Sequence, residues 1–139
     1  MDQLPKGNMS RRFPTPWAIE AMTDSALKMD GAGTLGDYIK NYLAGSHRDM
    51  PGRGCPVAAL CSEMPRQSSG VRERFTDGLR AMVKHLASRM DSAPKQWQRD
   101  EEALATVASL VGALVLAPAV NDPKLSDDIL RVTKSRLKG

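Results

Sequence analysis

The sequence predicts an all-α domain, and three observations carry that expectation. The chain holds only two residues each of Trp, Tyr and Phe and is rich in Ala, Leu, Met, Arg and Lys, so intrinsic preference favours helix throughout. Apolar residues recur at helical spacing in segments bounded by Pro, Gly, Asn and Asp. Residues 103–120, ALATVASLVGALVLAPAV, carry no charge and only Thr106 and Ser109 as polar side chains, the composition of a helix covered on nearly every side. At 139 residues the length suits one domain with one core.

Residues 1–12 have no apolar period and contain Pro5, Gly7, Asn8 and Arg11-Arg12, so a disordered arm is expected, followed by a single helical domain over residues 13–139. Thr15 before Pro16 is a helix start. The first helix is expected over residues 17–29, with Ala18, Met22, Ala26 and Met29 on one face and the glycines after it as the stop. Thr34 and Asp37 have capping-box spacing, and Leu35, Tyr38, Ile39, Tyr42 and Leu43 follow the pattern of a second helix. Residues 44–54 read as a loop, and Pro56 opens a short apolar helix that Pro65 stops. Ser68 or Ser69 starts the longest amphipathic helix, with Val71, Phe75, Leu79, Met82, Val83, Leu86 and Met90 inward. After Pro94 the central helix begins between Lys95 and Glu102. The last helix, capped by Asp122 or Ser126, places Leu125, Ile129, Leu130, Val132 and Leu137 on its buried side. Six helices are expected.

The central run of residues 103–120 is too apolar for its short neighbours to cover. A membrane span is the rival to a buried soluble helix, since 18 uncharged residues reach the lower length limit. Six alanines, Gly112, Pro118 and the acidic Asp100, Glu101 and Glu102 just before it weaken that reading. Ala105, Ser109, Ala113 and Ala117 recur every four residues and are expected to form one face where another helix approaches closely. A second copy of the chain is the expected cover, giving a homodimer whose interface includes Ala105, Ser109, Gly112, Ala113, Leu116, Ala117, Leu125, Ile129 and Val132. The alternative is a central core helix of a monomer.

Catalysis has little to stand on, with two histidines, no GxSxG, no Gly-rich phosphate loop and no HExxH, so no enzyme and no catalytic residue is expected. His47, Cys55, Cys61 and His85 lack metal-ligand spacing, so neither a metal site nor a cofactor is expected. The net charge of +4 is spread along the chain apart from its basic C-terminal end, which is no nucleic-acid footprint. The absence of an apolar leader and the two cysteines point to a cytoplasmic protein. Met22, Met64 and Met82 lie on inward faces of three helices, where flexible thioethers suit a pocket or simply fill the core.

Tyr42-Leu43 through His47-Arg48-Asp49, then residues 51–60, PGRGCPVAAL, resemble the YL…HRD.PxRGCPxAAL block in one branch of the TetR-type transcriptional regulators. Residues 110–117, then Val120-Asn121-Asp122-Pro123 and residues 125–130, are similar to the last two helices of that family's ligand-binding and dimerisation domain. The resemblance covers about residues 34–137. It implies a six-helix C-terminal regulatory domain whose last two helices form a four-helix dimer interface, and a small hydrophobic effector. The inward positions and the resemblance together give a pocket of Trp17, Met22, Tyr38, Ile39, Leu60, Cys61, Met64, Phe75, Leu79 and Met82. Tyr38 and Cys61 are its expected polar anchors, with His47 at the rim.

The family's three DNA-reading helices have no counterpart here, and Arg12-Phe13-Pro14-Thr15 resembles the junction that follows them. A truncated or stand-alone regulator is therefore expected, without sequence-specific DNA binding by this chain alone. Pro118 stands where the family usually has a basic residue and is expected to kink the dimer helix. A small helical scaffold or adaptor without a ligand is the alternative from a different class.

Overall fold

A computed structural model describes residues 33–50, 54–91 and 93–137. The expected arm and first helix, with Trp17 and Met22, lie outside the described residues. The described residues are all-helical, 78% in helix with no strand. The helices are α1 (Leu35–Tyr42), α2 (Gly45–Asp49), α3 (Pro56–Leu60), α4 (Ser69–Ala87), α5 (Gln96–Ala119) and α6 (Pro123–Leu137), with a 3-10 turn at Met64–Arg66.

Local chemistry sets most of these ends. The capping box at α1 is formed, with Asp37 N donating to Thr34 Oγ1 at 3.2 Å and Thr34 N donating to Asp37 Oδ2 at 3.0 Å. Asp122 caps α6, its Oδ1 accepting from Lys124 N at 3.0 Å and Leu125 N at 3.2 Å, while Pro123 fills the first helical position. Helix α2 corrects the loop expected at residues 44–54. Its single turn is closed by the Ala44 carbonyl, which accepts from His47 N at 3.0 Å and Arg48 N at 3.4 Å.

Helix α5 is the hub, against which α6, α4, α3 and α2 all pack. Its inward face is Ala103, Thr106, Val107, Leu110, Ala113, Leu114 and Ala117. These meet Ile39, Leu43, Met82, Leu86 and Leu130 in one cluster, with Leu86 and Leu110 fully buried. The row at 105, 109, 113 and 117 is not one face. Four residues advance a helix by about 400°, so such a row slips about 40° per step and about 120° over three steps. Ala105 and Ser109 accordingly point outward, while Ala113 and Ala117 are buried within the chain.

Two further faces differ from expectation. On α4 the buried side chains are Met82, Leu86 and Ala87, whereas Val71, Phe75, Leu79 and Val83 are half-buried. On α6 the buried pair is Ser126 and Leu130, and Leu125 and Val132 are exposed. Pro118 sits in the last turn of α5, which ends one residue later where Val120 turns extended.

A polar latch fixes this turn. Ser126 Oγ donates to the Ala117 carbonyl at 2.6 Å, satisfying an acceptor that the end of α5 would otherwise leave orphaned. Arg48 Nη1 donates to Ser126 Oγ at 3.0 Å and to Asp127 Oδ1 at 2.7 Å, bringing a cation to the negative end of α5. Replacing Ser126 by Ala leaves the Ala117 carbonyl buried without this partner. The expected cost is about 1–3 kcal/mol, read as a lower urea midpoint with an unchanged slope. A midpoint equal to that of the wild type would show that the latch does not bear on stability.

Candidate functional site

Two regions of the described chain bear on function: an inner polar-tipped cluster against α1 and an outer groove between α5 and α6. The inner cluster centres on Tyr42. Tyr38 lies four residues earlier on the same face, and the two rings stack with centroids 5.9 Å apart and planes at 20°. The His47 ring meets the Tyr42 ring edge-on at 4.8 Å, and the His85 ring meets Tyr38 at 6.2 Å.

His47 is committed on both sides. Its Nε2 accepts from Cys55 N at 2.8 Å, so Nδ1 carries the ring proton and donates to the Tyr42 carbonyl at 2.7 Å. The imidazole thereby ties the end of α1 to the start of α3 instead of standing at a pocket rim. The Tyr42 hydroxyl is buried with no nitrogen or oxygen partner among the described residues, and the Cys55 thiol is its weak neighbour. Burial above all, and then the neighbouring Cys55 thiol, push its ionisation above the usual phenol range, so the hydroxyl keeps its proton.

The expected pocket residues divide into three sets. Tyr38, Ile39 and Met82 join the main core cluster, and half-buried Phe75 and Leu79 pack against it. Met64 is buried in the 3-10 turn and Leu60 and Cys61 are half-buried near it, outside that cluster. Trp17 and Met22 lie outside the described residues. Sequence reasoning passed over Tyr42 and Cys55 as site residues; the signal for Tyr42 was its i, i+4 spacing from Tyr38. Among the described residues no group of three or more His, Cys, Asp or Glu is placed to hold a metal ion.

The outer groove is open and has a volume of about 590 Å³. Ser109, Gly112, Ala113 and Leu116 of α5 form one wall, and Leu125, Ile129 and Val132 of α6 form the other. Of the expected interface residues, Ala105 and Ala117 are not among its lining. Leu116 is 55% exposed, Leu125 46% and Val132 44%, whereas the polar Thr106 is 7% exposed, so apolar side chains face out while a hydroxyl is held in. A Cβ added at Gly112 would meet nothing within 4 Å. Asp128 and Arg136 are the charged residues of the α6 wall. Helix α5 is also long and apolar enough to cross a membrane by length and composition.

The charges beside these regions are mostly paired. Arg48 is held above its usual range by hydrogen bonds to Asp49 and then Asp127. Asp128 lies below the usual carboxylate range through hydrogen bonds from Lys124 and then Arg131. Compared with known proteins, the chain matches no family model and no curated protein.

Asp49 yields a pH prediction. The hydrogen bond from Arg48 holds its carboxyl below the ordinary value of 3.8, so the pairing contributes stability above pH 3.8 that is lost as the pH falls through the lower folded-state value. An Asp49→Asn protein should be slightly less stable than wild type at pH 7, and the gap should close below pH 3.8. Urea melts from pH 7 down to about pH 2 check this. A gap that persists unchanged at the acid end would show that the ion pair is not its source.

Proposed function

We propose that this chain is the effector-binding and dimerisation domain of a TetR-type transcriptional regulator, a binding domain and not a catalyst. The outer groove is the observation that carries the reading. Apolar side chains of α5 and α6 stand exposed along it on a rigidly latched helix pair. A second copy placed by a two-fold axis would lay the same helices into it as a four-helix seam.

Charge favours a copy of this chain over lipid as the occupant. Asp128, already held by Lys124 and Arg131, and Arg136 both line the α6 wall; an antiparallel two-fold contact turns each Arg136 toward the opposite Asp128, whereas a lipid tail would bury these charges against hydrocarbon. The motif residues also support the family reading. His47, Arg48 and Asp49 hold α1, α3 and the α5–α6 turn together, an architectural role for the block on which the resemblance rests.

Light scattering at micromolar concentration tests the seam, with a mass near twice 15.1 kDa expected. Leu116→Glu is the informative variant, because Leu116 is exposed in the single chain whereas Ala113 is already buried. It should give a folded monomer, since an unpaired charge in a closed seam costs several kcal/mol. A monomeric wild type, or a Leu116→Glu protein that remains dimeric, places the occupant elsewhere. Wild type that enters vesicles instead of pairing assigns the groove to lipid.

Effector binding is checked by thermal shift with a panel of lipophilic compounds. A compound at 100 times its dissociation constant should stabilise the fold by about 2.7 kcal/mol. No shift across the panel would favour an adaptor without a ligand.

A further inference from the structure

The outer groove is balanced about one level of the helix pair. Ser126 Oγ on the Ala117 carbonyl sets the two helices side by side at their turn, and from there α6 runs back along α5. Each step forward on α6 is then a step backward on α5, so Val132 lies level with Gly112 to within about one residue, or about 1.5 Å. The lining spreads evenly from there. Ser109 and Leu116 stand on either side of Gly112, and Asp128 and Arg136 each stand four residues from Val132, about 6 Å along the helix. At the level itself a Cβ on Gly112 would meet nothing within 4 Å, and Val132 is 44% exposed.

We propose that the groove takes a second copy of this chain in a single register, with a two-fold axis crossing α5 and α6 at the level of Gly112 and Val132 and each Arg136 pairing with the partner's Asp128. This rests on the self-pairing reading and fixes how the two copies meet. Charge decides the direction. An axis parallel to the helices would keep Arg136 level with its twin and Asp128 level with its own, so no opposite charges would come level. An axis across the helices reverses one copy, and a residue four steps beyond Val132 then lies level with one four steps before it. Arg136 has no hydrogen bond or ion pair among the described residues, so its guanidinium is open to this contact. Asp128 accepts from Lys124 Nζ and Arg131 Nη2, both at 2.8 Å, yet a carboxylate has about four acceptor positions and this side chain is 32% exposed. In the same register Val132 packs on the partner's Val132, Leu116 comes level with the partner's Ser109, and the bare Gly112 lets the two α5 backbones cross closely. A chain lacking either charge loses the pairing, so these two residues select a copy of this chain as the occupant.

Cross-linking with a bis-maleimide on a two-carbon bridge reads the register, in a Cys61→Ser background because that thiol is only half-buried. Val132→Cys should link to its twin across the axis. Leu125→Cys should not, since seven residues from Val132 put it and its twin about 21 Å apart along the helices. Sedimentation reads the charges. Arg136→Met keeps the stem and removes the charge, so it should raise the dimer dissociation constant by about two- to tenfold at low salt, two pairs being lost per seam. That gap should close in 1 M sodium chloride. A wild type that stays monomeric overturns the self-pairing reading and the register with it. A dimeric wild type in which both cysteine variants link equally, or Val132→Cys fails to link, overturns the register and leaves self-pairing standing. An Arg136→Met protein that pairs as tightly as wild type at low salt shows that the two charges do not select the partner, which also overturns the proposal.

Discussion

The hydrogen bond from Ser126 to the Ala117 carbonyl governs how this chain holds its shape, because it stands where the hub helix ends and the last helix begins. Helix α5 packs against α6, α4, α3 and α2 and shares one core cluster with α1, so any looseness at its C-terminus spreads into the whole packing. That terminus is poorly protected by its own backbone. Pro118 brings no N–H to the last turn, and the chain leaves the helix at Val120. Ser126 gives the Ala117 carbonyl, one of the acceptors left open at the helix end, a donor from the next helix, and Arg48 reaches that serine across 78 residues of sequence. One hydroxyl therefore couples the end of α5, the first turn of α6 and α2.

The same economy explains why the residues that look most chemical are not free to do chemistry. His47 spends both ring nitrogens on backbone groups, and Arg48 spends its fork on Asp49, Ser126 and Asp127. Their work is to hold α1, α3 and the α5–α6 turn at fixed distances. With those groups occupied, the apolar capacity left outside the cluster is concentrated at the groove.

Features set by neighbours in sequence were legible; those set by neighbours in space were not. The Thr34–Asp37 box and the Asp122 cap act within three residues, and both stand as the spacing implied. Helix α2 was illegible because its five residues, GSHRD, have no apolar period and are stabilised by the tethers of His47 and Arg48. The sequence offers Asp122 or Ser126 as the cap of the last helix; Asp122 takes that place, and the Ser126 side chain serves the helix before it, a partner nine residues back that no local pattern encodes. The four-residue spacing of the small side chains on α5 suggested one seam, but the helix repeat carries that row from the solvent side to the core. In the inner cluster, Tyr38 and Met82 were readable as inward positions, whereas the setting of the Tyr42 hydroxyl depends on Cys55, which the fold brings in from another element.

Gly112 lies on the outer wall with open space where a Cβ would project, so a methyl group there meets no other atom of the chain. Within a helix, exchanging glycine for alanine also gains roughly 0.5–1 kcal/mol of backbone preference. Packing within the chain thus places little restraint on a Cβ at this position. Under the pairing proposed above, a single bulky residue there would, after a gene duplication, let two sister proteins stop recognising each other.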